Sequence, residues 1–295
     1  MNIKIVDFKS INASAEFEES IRETGFGVLS NHPIDSQLVE DVYTLWSEFF
    51  NSDQKNNPDY AFVEKDHSGF IPFELSETAK GNDVKDIKEF YHYYHPWGRI
   101  PSFLAAKTQL LCEQLIAMAQ VLLQWIEAHT PAEIRDQLSE PLMTMLNGSQ
   151  KNLFRLINYP PLTGNEPANA VRAAEHEDID FLTLLPAATA KGLEAKNRSG
   201  TWTPVPCNPG WIIVNVGDML QEATNHYYPS TPHRVVNPIG DDAKMPRMSM
   251  PLFLHPRDDV QLSKQHTAQS YREERYRELG LLAADRSISV SEDVN

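Results

Sequence analysis

The stretch 173-AAEHEDIDFLTLLPA-187 sets a histidine and an aspartate two positions apart, just ahead of an apolar run. On extended backbone, residues i and i+2 point to the same side, so the His176 imidazole and the Asp178 carboxylate can meet one metal ion. Two ligands hold a metal weakly, and a third has to come from a remote strand that the fold lays alongside. His233, in STPHRVVN, opens another β-prone segment and is the candidate. Two histidines and one carboxylate on one face of an ion leave its other positions open, as non-haem iron(II) oxygen chemistry requires. By itself, His-x-Asp also fits a solvated acidic turn, so the surrounding sequence has to decide.

Around this stretch the chain breaks into short β-prone segments. NLFRLINYPP, FLTLLPA, KGLEAKN, TWTPVP, GWIIVNVGD, PHRVVNP and RMSMPLFLHP are separated by Gly, Pro, Asn or Asp. Short strands at this spacing predict a jelly-roll sandwich or barrel. The first half reads mainly helical. IKIVDF is expected as an edge strand, SAEFEESIRETG as a short helix ended by Gly25, and FGVLSNH as a strand. In DSQLVEDVYTLWSEFF, Leu38, Val42, Leu45, Trp46 and Phe49 share one helical face behind an Asp35 cap. From Ser102 a long helix carries Leu104, Leu111, Leu115, Met118, Leu122 and Trp125 at helical spacing. Between Asn51 and Gly98 three prolines suggest irregular chain. The expected organisation is a helical N-terminal region (1–150) packed on a jelly-roll catalytic core (151–256). A C-terminal helix and a loose polar tail (257–295) follow, all within one structural unit.

The chain has 295 residues and a formal net charge of −15. A negative field of that size disfavours nucleic acid and anionic membrane as partners and leaves a small molecule as the default ligand. The apolar run near Leu110 to Ile126 is interrupted by Glu113, Gln114, Gln120 and Gln124, which reads as a buried helix rather than a membrane span. Two cysteines, Cys112 and Cys207, form no zinc or redox spacing, and the N-terminus lacks a secretory apolar core. A reduced, cytoplasmic setting is expected, and nothing points to an obligate protein partner.

Arg247 and Ser249 share a face at the head of RMSMPLFLHP, and a guanidinium with a hydroxyl makes a clamp for a carboxylate. A surface salt bridge is the bland alternative for Arg247. Taken together, HEDIDFLTLL, the segment from GLEAKN through GDMLQEATN, STPHRVVNP and RMSMPLFLHP resemble the iron(II)- and 2-oxoglutarate-dependent dioxygenase superfamily, in its isopenicillin N synthase-like branch. GFGVLSNHPI and DIKEFYHY resemble the N-terminal helical region of that branch more weakly.

The resemblance implies a double-stranded β-helix core under a helical N-terminal layer. It implies iron(II) on His176, Asp178 and His233, and 2-oxoglutarate gripped by Arg247 and Ser249 with help from Tyr159 in LINYPP. Dioxygen would be the oxidant, and hydroxylation, desaturation or ring closure of a small metabolite the outcome. Plant members commonly carry an asparagine two positions before that tyrosine, where this chain has Ile157, with Asn158 on the opposite side of the strand. His226 takes the glycine position of the family's usual Asn-Gly turn and is expected to be a loop residue. Phe73, Phe90, Tyr91, Tyr93 and Arg155 are candidate substrate-pocket residues, each with core packing as the competing role. Two rival readings are an iron oxidase that needs no 2-oxoglutarate, as isopenicillin N synthase is, and a non-catalytic binding protein on the same barrel. A zinc hydrolase lacks the helical His-Glu motif it would need.

Overall fold

The computed structural model describes residues 1–76 and 84–278. The expected loose tail therefore lies outside the described residues. Among the described residues thirteen strands form two sheets. They are β1 (Ile5–Asp7), β2 (Phe26–Ser30), β3 (Gly69–Ile71), β4 (Glu89–Tyr94), β5 (Leu153–Tyr159), β6 (Ala173–His176), β7 (Leu182–Pro186), β8 (Leu193–Lys196), β9 (Trp202–Pro204), β10 (Ile212–Val216), β11 (His233–Val235), β12 (Arg247–Ser249) and β13 (Leu252–Leu254). The helices are α1 (Ala13–Thr24), α2 (Ser36–Phe50), α3 (Ser102–His129), the short α4 (Ala132–Arg135) and α5 (Leu142–Met145), α6 (Asp218–Ala223) and α7 (Ala268–Glu278).

The larger sheet runs β1-β2-β10-β7-β13-β5-β4-β3, with β12 also paired to β5; the smaller runs β6-β11-β8-β9. This is the jelly-roll core that the strand spacing predicted. The division at residue 150 is not a division between helix and sheet, because β1 to β4 all join the larger sheet. The segment read as irregular contains β3 and the six-residue β4, and β4 pairs with β5 along its whole length.

The period of two along each strand separates two cores. In β5, Phe154 and Leu156 face the helices while Ile157 and Tyr159 face the other sheet. The helical side packs Phe17, Trp46, Leu111, Leu115 and Leu122 against the larger sheet. Helix α2 starts where expected, with the Asp35 carboxylate accepting from the Gln37 and Leu38 amides, a cap worth about 1 kcal/mol. Helix α3 is long and apolar enough to cross a membrane by composition, yet its buried residues from Leu104 to Ile126 belong to this core. The space between the sheets is lined by Phe26, Val28, Ile157, Leu185, Ala195, Ile213 and Val235.

Two glycines allow close backbone approaches near the site. Gly25 ends α1 at φ +69°, and a Cβ there would come within 2.3 Å of Thr231 Oγ1 and 2.6 Å of the Pro229 carbonyl. The loop before β11 can approach α1 only because that side chain is missing. Gly217 follows β10, and a Cβ there would lie 2.0 Å from Asp180 Oδ1. The backbone amides of Gly217, Asp218 and Met219 instead donate to the carbonyls of Phe181, Asp178 and Asp180. The loop that carries Asp178 is thus clamped to the start of α6.

Candidate active site

His176 ends β6, His233 begins β11, and the two are direct cross-strand partners. Asp178 follows β6 in the clamped loop. His176 Nε2 lies 3.9 Å and His233 Nε2 3.7 Å from Asp178 Oδ1. One donor atom from each of the three residues fits within 4.8 Å of the others. In both rings the second nitrogen is committed: Nδ1 lies 2.7 Å from the Ala174 carbonyl in His176 and 3.1 Å from the Thr231 carbonyl in His233. Donation from Nδ1–H fixes the tautomer that leaves Nε2 with its lone pair toward the carboxylate. Phe26 meets the His233 ring in a T-shaped contact, 5.7 Å between centroids. Burial, and then the neighbouring His233, push the His176 imidazole down to about 4. Its side chain is 42% accessible. The ring is neutral at pH 7, as a metal ligand must be.

Asp178 is held from the side facing away from the histidines. Its Oδ2 accepts from Thr183 Oγ1 at 2.6 Å and from Asn215 Nδ2 at 2.8 Å. Thr183 and Asn215 are register partners on β7 and β10. Burial raises the Asp178 carboxyl, but His233, His176 and these two hydrogen bonds outweigh it and leave the group below its usual range. Nearby Asp180 is fully buried, and burial together with the Asp178 charge holds it well above that range. Neither Thr183 nor Asn215 was singled out from sequence. Their signal was one inward polar residue in each of two otherwise apolar strands, LTLLP and IIVNV. A buried ion pair, Lys88 with Asp86 at 2.9 Å, lies behind β6, where Asp86 Oδ1 accepts the Ala174 amide.

Arg247 and Ser249 both point inward and pair with Tyr159 and Ile157 of β5. Arg247 is 1% exposed, donates from Nε to the Ala190 carbonyl at 3.0 Å and leaves Nη1 without a partner. Its guanidinium lies 4.9 Å from the Tyr159 ring centroid. A surface salt bridge is therefore excluded for Arg247. Asn158 faces the other way and donates to Glu89 at 2.9 Å. His226 sits with Asn225 in a left-handed turn (φ 62° and 49°) after α6.

The substrate-pocket candidates divide by strand parity. Arg155 faces the space between the sheets, between the rings of Phe90 and Phe253 at 4.9 and 5.3 Å. Phe90 faces the same side, as does His92 with its ring 5.0 Å from that of Phe90. Tyr91 and Tyr93 do not line that space. They face the helices, where Tyr91 packs on Trp46 at 5.1 Å and donates to the Arg99 carbonyl at 3.0 Å. Phe73 lies outside both sheets, in the turn Phe73–Leu75, 41% exposed, and no described contact joins it to the triad.

Comparison with known proteins places this geometry. The model of the 2OG-Fe(II) oxygenase superfamily matches residues 142–256, and the N-terminal model of the non-haem dioxygenases of morphine synthesis matches residues 3–109. A solved structure of a Shewanella oneidensis protein assigned as an oxygenase is 50% identical, with a TM-score of 0.86 over 96% of this chain and 100% of that one. The chain belongs to the 2OG-Fe(II) oxygenase superfamily. A Caulobacter crescentus protein assigned to the same family is 29% identical, with a TM-score of 0.78 over 94% of this chain and 99% of that one. Jasmonate-induced oxygenase 3 of Arabidopsis thaliana is 25% identical over 256 residues, spanning 83% of this chain and 67% of that protein. This 2OG-Fe(II) oxygenase is an iron(II)- and 2-oxoglutarate-dependent dioxygenase, and the N-terminal match agrees with the isopenicillin N synthase-like branch.

Proposed function

We propose that His176, Asp178 and His233 hold the iron(II), and that Arg247, with Ser249 and Tyr159 beside it, grips the distal carboxylate of 2-oxoglutarate. One observation carries this reading: two Nε2 atoms and one carboxylate oxygen converge within 4.8 Å. The donor set suits ferrous iron, because neutral imidazoles and a carboxylate are borderline and hard ligands of the kind this ion accepts. The unpartnered Nη1 of a fully buried Arg247 suits a carboxylate for the same kind of reason. When bound, the pair supplies oxidative decarboxylation of 2-oxoglutarate to succinate and carbon dioxide, coupled to hydroxylation, desaturation or ring closure at a C–H bond of a second substrate.

The chain's own residues position and enclose. Thr183 and Asn215 occupy Asp178 Oδ2 and leave Oδ1 aimed at the two histidines. Phe90, His92 and Arg155 form the wall that receives the substrate, and their packing keeps water from the reacting centre. A small molecule fits a site enclosed between two sheets and a chain whose net charge is −15. A reducing cytoplasmic setting fits a buried Cys112 and a half-buried Cys207 that are both unpaired.

The deciding experiment measures dioxygen uptake and succinate release by purified protein with iron(II), with and without 2-oxoglutarate. A metabolite library is then screened for products one oxygen heavier. Uptake that ignores 2-oxoglutarate would return the 2-oxoglutarate-independent oxidase reading. The support behind Asp178 is separately testable. Asn215→Leu is expected to weaken iron(II) binding by about 10- to 100-fold while every proposed ligand stays in place. Anaerobic titration of the apoprotein reads this, and an unchanged affinity would show that Thr183 alone holds the carboxylate.

A further inference from the structure

A second cation stands over the Tyr159 ring. Arg172, in the segment just before β6, is 1% exposed, as is Arg247. Both guanidiniums stand over the same ring, Arg172 at 6.0 Å and Arg247 at 4.9 Å from the Tyr159 centroid. Arg172 donates to the Met245 carbonyl at 3.0 Å and leaves Nε without a partner. Among the described residues neither arginine has a carboxylate partner. The position of Arg172 is built into the fold. Its amide donates to Asn237 Oδ1 at 3.0 Å, and Asn237 Nδ2 donates to the Ala170 carbonyl at 2.7 Å.

Two like charges buried together without an anion are costly. Desolvation penalises each ion strongly even after relaxation, and one shared tyrosine face returns only a small part of that to each cation. Burial, and then the Arg247 charge, hold the Arg172 guanidinium below its ordinary range. An anionic ligand between or beside the two removes both the repulsion and the unpartnered donors. We infer that Arg172 is a second positive charge of the cosubstrate pocket, acting with Arg247 to select a 2-oxo acid that carries a distal carboxylate. The inference rests on the reading of Arg247 given above.

The test is anaerobic calorimetric titration of the iron(II)-loaded protein with 2-oxoglutarate and with 2-oxobutyrate, which keeps the oxo-acid end and lacks the distal carboxylate. Arg172→Met is expected to weaken 2-oxoglutarate by about tenfold or more and to leave 2-oxobutyrate within about twofold, so that the preference between them falls. A purely structural role would weaken both ligands alike or neither, and either result overturns the inference. Arg247→Met separates the two readings. If it abolishes the preference while Arg172→Met does not, Arg172 has no part in the pocket. If neither variant changes the preference, the grip itself is misplaced. Should Arg172→Met fail to fold, Arg172→Gln removes the charge, retains a donor for Met245, and is read by the same ratio.

Discussion

His176→Ala is expected to abolish iron(II) binding and all turnover while leaving the fold intact. The ring sits at the end of β6, is partly accessible, and makes one local hydrogen bond, to the carbonyl two residues back. Losing it leaves no cavity inside either core. Two remaining ligands hold a metal too weakly to keep it in place, and no other described histidine or carboxylate joins this cluster to replace it. Asp178→Ala is expected to do the same to the metal. It also strands the Asn215 amide, which costs about 1–3 kcal/mol of stability, while the Thr183 hydroxyl keeps Asp180 Oδ2 at 3.0 Å as its acceptor. The measurements are iron content after anaerobic reconstitution, succinate formation with 2-oxoglutarate, and far- and near-UV circular dichroism for the fold. Undiminished succinate formation in either variant would refute the ligand assignment. Loss of the near-UV signal would mean that the fold, and not the metal, had been removed.

Arg247→Met carries the second large effect. Methionine nearly fills the space and removes the charge, so packing against Tyr159 is largely kept. The interaction lost is a buried, charge-assisted contact to a carboxylate, worth about 2–5 kcal/mol, or roughly 30- to several thousand-fold in 2-oxoglutarate affinity. The empty variant is not expected to lose stability through a broken ion pair, because Arg247 has none and hydrogen-bonds only a backbone carbonyl. The predicted signature is therefore a large rise in the KM for 2-oxoglutarate with a melting temperature of the cosubstrate-free protein at or above that of the parent, because one of two repelling buried charges is gone. A variant that binds 2-oxoglutarate as well as the parent would move the cosubstrate away from this end of the barrel.

Much of this site was legible before any fold was available. His176, Asp178, Arg247 and Ser249 were readable because residues two apart on extended backbone share a side. The short, punctuated strands around them implied a closed β core. The Asp35 cap and the Gly25 terminus were readable because each is a local device whose partners lie within a few residues. Strand β4 was not readable. Phe90 and His92 face the barrel while Tyr91 and Tyr93 face the helices, so no polar residue alternates to mark a surface. Of the pocket candidates, Tyr91 and Tyr93 take the competing role of core packing.

The chain's own order of residues determined which side chains could act together along one strand, and what chemistry their types allow. Only the tertiary structure decided what lies across from them. It set His233 opposite His176, put Thr183 and Asn215 behind Asp178, and brought Arg172 over the ring that Arg247 already covers. Strand periodicity is a local steric property and repeats every two residues. The closing of two sheets over one another depends on the sum of many distant contacts, which no short stretch of residues contains.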